Sequence, residues 1–186
     1  MGHGLTMLGA AAALALGLGG AGVGVLQTQK AQAAEAARAS AAARLQALED
    51  REAIKALFNA YGGTLDARDF DGFQKLWARD AVYEGGGGLN AKGPAAIRAQ
   101  LEGMMGKNPM GLAEPNFHLF LNETIHMDGD HATALSKSLF VAPNAAGRGE
   151  IIFVAHYDDV LVREDGQWKF EKRVVHGDIP APRRAG

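Results

Sequence analysis

The stretch HYDDVLVREDGQWKFEKR, His156 to Arg173, holds two runs of β-branched, aromatic and aliphatic residues on either side of an Asp-Gly pair. Asp-Gly accepts the positive φ angles of the tight turns that match strand twist, so flanked in this way it is a strong hairpin signal. The spacing predicts strands over Ile151–Arg163 and Trp168–His176. Upstream, MDGDH sits in the same way between Phe117–Met127 and Ala132–Val141, and PNAAGRG makes a longer connection. A meandering antiparallel sheet follows.

The segment before these strands has a different period. Ile54, Leu57, Phe58, Tyr61 and Leu65 recur at helical spacing, which predicts a core-facing helix from about Glu49 to Leu65. Asp69 is placed to cap a second helix, with Phe70, Phe73, Leu76 and Trp77 on its apolar face. Pro94 suits the first turn of a third helix carrying Ile97, Leu101 and Met104 and ending at Gly106. Three helices gathered ahead of a run of strands imply an α+β fold, with the helices on one face of a strongly bent, mainly antiparallel sheet.

The 186 residues hold one domain of ordinary size. A formal net charge of −2, with no basic stripe, offers nucleic acid no electrostatic footprint. Without cysteine there are no disulfides, thiolate nucleophiles or thiolate-ligated zinc. No HExxH and no paired histidine cluster is present either, and the spacing predicts no metal. There is no GxSxG elbow and no P-loop, and Gly85–Gly88 lacks the Lys-Ser/Thr ending of a phosphate cradle and reads as a flexible loop.

Leu5 to Leu26 is an uninterrupted run of small and apolar residues, followed by Ala31-Gln32-Ala33, a cleavage-like triplet. Residues 1–33 therefore read as a secretory signal, delivering the chain to a compartment such as the bacterial periplasm, or as an uncleaved membrane anchor. Residues 34–48 are an alanine-rich helical spacer, 49–179 the domain and 180–186 a disordered tail.

Two glycines, Gly62 and Gly63, interrupt the first helix just before Asp66. A helical side chain leans over the positions three and four residues earlier, so the pair leaves open volume beside the carboxylate or lets another backbone pack closely there. In NFHLFLN, alternation puts Phe117, Leu119 and Leu121 on one strand face and His118, Phe120 and Asn122 on the other. His156 points outward and His176 lies near the end of the last strand.

The ordered set REAIKALFNAYGGTLDARDFDGFQKLWARDAVYE, HLFLN and HYDDVLVREDGQWKFEKR resembles the SnoaL-like branch of the nuclear-transport-factor-2-like superfamily, over roughly Leu48 to Ile179. The resemblance implies a cone-shaped barrel enclosing an apolar pocket, and a homo-oligomer, dimer or trimer. In motif the sequence is most similar to scytalone dehydratase and bile-acid 7α-dehydratase. The helix aspartate and strand histidine of these enzymes fall on Asp66 and His118, the helix tyrosine of the second on Tyr61, and a polar pocket residue on Tyr157. The base position of ketosteroid isomerase is Gly85, with Glu84 one residue before, which argues against that mechanism. The second catalytic histidine of scytalone dehydratase has no counterpart on Ala132–Val141. Asp159 and Arg173 recur in the family's strand patterns, as an ion pair or as ligand contacts.

These readings converge on a cofactor-independent dehydratase or isomerase/cyclase acting on a small cyclic or polyketide-like carbonyl compound. His118 is the base, Asp66 its partner and Tyr61 a donor to the developing enolate, with Tyr157, Asn122, Phe58, Trp77 and Phe120 around the substrate. The alternatives are an exported, non-catalytic domain binding a small apolar ligand, and a structural subunit of a larger assembly.

Overall fold

Ile54, Leu57, Phe58, Tyr61 and Leu65 are buried together, all on one stripe of the first helix. The computed structural model describes residues 17–106, 108, 111 and 113–179. Residues 1–16 of the leader and the whole 180–186 tail, which the sequence reading made disordered, lie outside these residues. The chain forms two units, one ending at Gln46 and one beginning at Ala47.

The first unit, where described, is helix, with exposed side chains from Gly24 onward. Helix α1 runs from Gly17 to Asp66, so the start expected near Glu49 is not a boundary. Alanine with spaced charges over 34–48 has high helix propensity and no breaker, and nothing stops the helix there. Among the described residues no helix is long and apolar enough to cross a membrane.

In the second unit α1 ends in a Schellman arrangement. The Asp69 amide donates to the Thr64 carbonyl and the Arg68 amide to that of Leu65, with Arg68 at φ 58°. The Arg68 guanidinium folds back to donate to the Leu65 carbonyl at 2.6 Å and to Asn116 Oδ1 at 3.3 Å. Asp69 then caps α2 (Phe70–Gln74), its Oδ1 accepting the Gly72 amide at 2.8 Å. Helix α3 (Pro94–Leu101) begins with proline in its first turn and continues as a π-helical turn, Glu102–Gly106.

Two strands were not read from the sequence. Trp77, assigned to the second helix, instead opens β1 (Trp77–Gly85), and the Leu76 carbonyl accepts the Phe170 amide at 2.9 Å. The pattern Phe70, Phe73, Leu76, Trp77 fits a helix face over only two turns, and pairing with the last strand outweighs that propensity. A 3₁₀ turn at Gly86–Gly88, where a flexible loop was expected, joins β1 to the short β2 (Asn90–Lys92). Then follow β3 (Phe117–Asp128), β4 (His131–Pro143), β5 (Gly149–Glu164) and β6 (Gln167–Ile179).

The sheet order is β2-β1-β6-β5-β4-β3, with only β1–β6 parallel. It is curved and does not close, so the barrel implied by the family resemblance is an open half-barrel. The helices cover its concave face, where rings from α1 (Phe58, Tyr61), α2 (Phe73), β1 (Trp77), β3 (Phe120), β5 (Tyr157) and β6 (Phe170) pack with centroids 5.2–6.3 Å apart.

Alternation along β3 holds only as far as Leu121. Between Leu121 and Thr124 the strand carries two residues where β4 has one, Ser136, so the register slips. His118 and Phe120 face the helices before the slip, and Ile125 and Met127 after it.

Candidate active site

Asp66 and His118 meet across α1 and β3. The ring Nδ1 of His118 lies 2.6 Å from Asp66 Oδ1, and its backbone amide donates to Oδ2 at 2.9 Å. One carboxylate thus grips both the ring and the main chain of one residue. A carboxylate that accepts the amide also accepts a ring proton, so in the neutral imidazole the proton sits on Nδ1 and Nε2 carries the lone pair. Nε2 has no hydrogen-bond partner among the described residues. The imidazole rests against Phe140, centroids 4.6 Å apart, and is mostly but not fully buried.

The two glycines divide the roles suggested for the pair. A Cβ on Gly62 would lie 3.0 Å from His118 Cβ and 3.3 Å from Phe120, so this glycine lets β3 approach α1 closely enough for the contact to form. Among the described residues a Cβ on Gly63 would meet nothing within 4 Å. Gly63 instead lines an open cleft of about 800 Å³ with Asp66, Ala67, Arg68, Glu114, Asn116 and Phe117.

Tyr61 is buried, its hydroxyl 2.8 Å from that of Tyr83. Tyr83 was missed because β1 was not recognised; reading Ala81 and Tyr83 as alternate inward positions of a strand would have found it. Tyr157 is buried too and accepts from Ser138 Oγ at 3.2 Å. Burial is the largest cause holding all three phenols above their ordinary value, so each stays a protonated donor.

Between these rings lies a fully buried ion pair. Arg173 Nε and Nη2 donate to the two Asp159 oxygens at 2.7 and 2.8 Å, and the guanidinium sits 4.1–5.4 Å from the centroids of Phe58, Tyr61, Phe120, Tyr157 and Phe170. Burial pushes the Asp159 carboxyl up, against the pull of Arg173, while the carboxylate holds Arg173 charged. Of the two readings of Asp159 and Arg173, the geometry shows the ion pair. Arg173 Nη1 is buried without a hydrogen-bond partner among the described residues, as are Trp77 Nε1 and Ser136 Oγ.

Phe58, Trp77, Phe120 and Tyr157 all lie in this aromatic cluster, around Tyr61 rather than along the open cleft. Asn122 does not join them. It sits exposed in the β3 slip at φ 58°, because the extra residue turns its side chain off the face that alternation assigned to it.

A family profile for the SnoaL-like domain matches residues 46–174. The chain belongs to the SnoaL-like family. An uncharacterized protein of Mycobacterium tuberculosis is 30% identical over 132 residues, covering 68% of this chain and 84% of its own length. A crystal structure of an NTF2-like protein with a cystatin-like fold from Novosphingobium aromaticivorans is 30% identical, with a TM-score of 0.67 over 75% of this chain and 89% of that one. A hexachlorocyclohexane dehydrochlorinase shares the fold at 20% identity, with a TM-score of 0.62 over 73% of this chain and 89% of its own. In this SnoaL-like domain the family cone is therefore the scaffold that brings Asp66 and His118 together.

Proposed function

We propose that the protein is a cofactor-independent acid–base enzyme, a dehydratase or isomerase/cyclase, acting on a small cyclic or polyketide-like carbonyl compound. The observation that carries this reading is the Asp66–His118 contact with Nε2 unpartnered. In the dehydratase form Nε2 takes a proton from the carbon next to the carbonyl, and Asp66 stabilises the resulting imidazolium. The C–H electrons form the double bond, the C–O bond on the neighbouring carbon breaks, and the proton returned by His118 leaves with the hydroxyl as water. Tyr61, kept protonated by burial, donates to the carbonyl oxygen as negative charge develops there. The dehydrochlorinase that shares the fold is named for an elimination, which suits the same chemistry.

The packing of Phe58, Phe120, Tyr157 and Phe170 around Arg173 favours a second reading, a domain that binds an apolar ligand without turning it over. The test is a panel of β-hydroxy cyclic ketones and polyketide-like aromatics followed for loss of water, with His118→Ala as control. Turnover removed by that change supports the enzyme. Saturable binding equal in both proteins, without turnover, favours the binding domain.

We further propose that the leader directs export, by cleavage near Ala34 or as an anchor, and that the domain forms a dimer or trimer through its exposed sheet face, where Leu119 and Leu135 are half exposed. N-terminal sequencing of the cell-fractionated protein and light scattering test the two statements.

A further inference from the structure

His156 and His176 are direct cross-strand partners on β5 and β6, on the opposite sheet face from Tyr157 and Arg173. Their rings stack at 4.5 Å with planes 9° apart. Each is held by an aspartate two residues along the other strand. His156 Nδ1 lies 2.8 and 3.0 Å from the Asp178 oxygens, and His176 Nε2 lies 2.9 Å from Asp158 Oδ2. Strand alternation puts His156, Asp158 and His176 on the same face, and the contact with His156 brings Asp178, the unpaired residue of an irregularity in β6, to that face as well. One ligand atom from each of His156, Asp158 and His176 falls within 4.8 Å of the other two.

We propose that His156, Asp158 and His176 bind a divalent transition-metal ion of the zinc, nickel or copper class, with Asp178 as the positioning residue. Imidazole nitrogen with carboxylate oxygen is a donor set these ions favour. Bound at about 2.0–2.2 Å in a tetrahedron, ligand atoms stand about 3.4 Å apart. His176 and Asp158 are already inside that separation, sharing a proton that the ion replaces. His156 closes the rest by turning together with Asp178, which the partial exposure of both side chains permits. Its Nδ1 is fixed by Asp178, which leaves Nε2 as ligand and repeats the carboxylate–histidine–metal arrangement of orienting outer ligands.

The local charge suits a cation. Asp158 and Asp178 contribute two negative charges, against Lys137, the exposed cross-strand neighbour of His156 on β4. Lys172, further along β6, is paired with Glu84. The ion ties the two central strands together on the face away from Asp66 and His118, so its removal leaves turnover unchanged. The four groups escaped the sequence reading because β5 and β6 bring together residues about twenty positions apart, a spacing no short metal motif has.

The test uses the untagged full chain, stripped with EDTA, dialysed and titrated with zinc chloride by calorimetry and thermal unfolding. One ion per chain and a higher Tm are expected. His156→Ala and His176→Ala should each remove saturable binding, Asp178→Ala should weaken it by about 10–100-fold, and His131→Ala, another exposed strand histidine, should leave it unchanged. Absence of saturable binding by zinc, nickel and copper ions to the wild-type chain would overturn the proposal. So would binding that survives both histidine changes.

Discussion

Adding one methyl group at Gly62 and one at Gly63 should have opposite effects, although the positions are adjacent in one helix. Alanine for glycine in a helix interior stabilises by up to about 1 kcal/mol, and Gly63→Ala should show that gain because none of the described residues stands within 4 Å of the new atom. At Gly62 the new Cβ starts 3.0 Å from His118 Cβ and 3.4 Å from the His118 carbonyl oxygen, whereas carbons rest at about 3.5–4.0 Å. The obstacle is a strand backbone and its first side-chain carbon, not a flexible tip, so helix and strand must part by about half an ångström or more. Overpacking of this kind costs about 1–3 kcal/mol, which sets the gap between the two variants. For a domain of this size that is roughly 3–12 °C in Tm. The same separation stretches the 2.6 Å Asp66–His118 contact. Thermal unfolding followed by circular dichroism, and the proton resonance of the His118 ring Nδ1–H by NMR, read the two effects separately. A Gly62→Ala protein as stable as Gly63→Ala, with an unshifted ring proton, would refute the argument that this glycine sets the dyad's geometry.

Asp66→Asn should cost nearly as much turnover as His118→Ala, and the double change little more than the histidine alone, since groups acting as one unit lose activity non-additively; steady-state kinetics on the panel checks this. Asp159→Asn strands the buried Arg173 charge and should destabilise by about 3–5 kcal/mol, read by denaturant unfolding. All three tyrosines of the chain are buried with phenols held above the ordinary value. Their contribution is complete below pH about 10, where unfolded tyrosine ionises, and is lost as the pH rises from there through the folded values. Absorbance at alkaline pH should therefore show tyrosinate appearing together with unfolding and not before it. Turnover should persist in EDTA, assayed after dialysis, because the proposed proton transfers use side chains alone.

The parts of the fold written in local pattern were legible. The stripe from Ile54 to Leu65, the Asp69 cap and both Asp-Gly hairpins follow from spacing and turn chemistry, and each is present. What failed depended on partners distant in sequence. Trp77 fits a helix face until β6 offers it a strand to pair with. Asn122 fits an inward face until β4 leaves it without an opposite residue. The site divides in the same way. Asp66 and His118 stood out through the glycine pair and the family resemblance, whereas Tyr83 and the unpartnered Nη1 of Arg173 depend on how β1 and β6 lie against α1.

The extra residue in β3 also bears on where this chain can change in length. The two halves of the strand are out of phase, and Asn122, in a backbone conformation asparagine tolerates better than most residues, is the joint between them. Deleting it would restore regular pairing with β4, whose buried positions alternate without a break from Ala132 to Ala142, and leave His118, Phe120, Ile125 and Met127 all facing the helices. A one-residue deletion at this exposed position is therefore compatible with the facing of both halves, as are many substitutions. Among relatives that keep both the histidine and the buried isoleucine, one-residue differences in length should therefore be found in the middle of β3 as well as in the β4–β5 connection around Ala145.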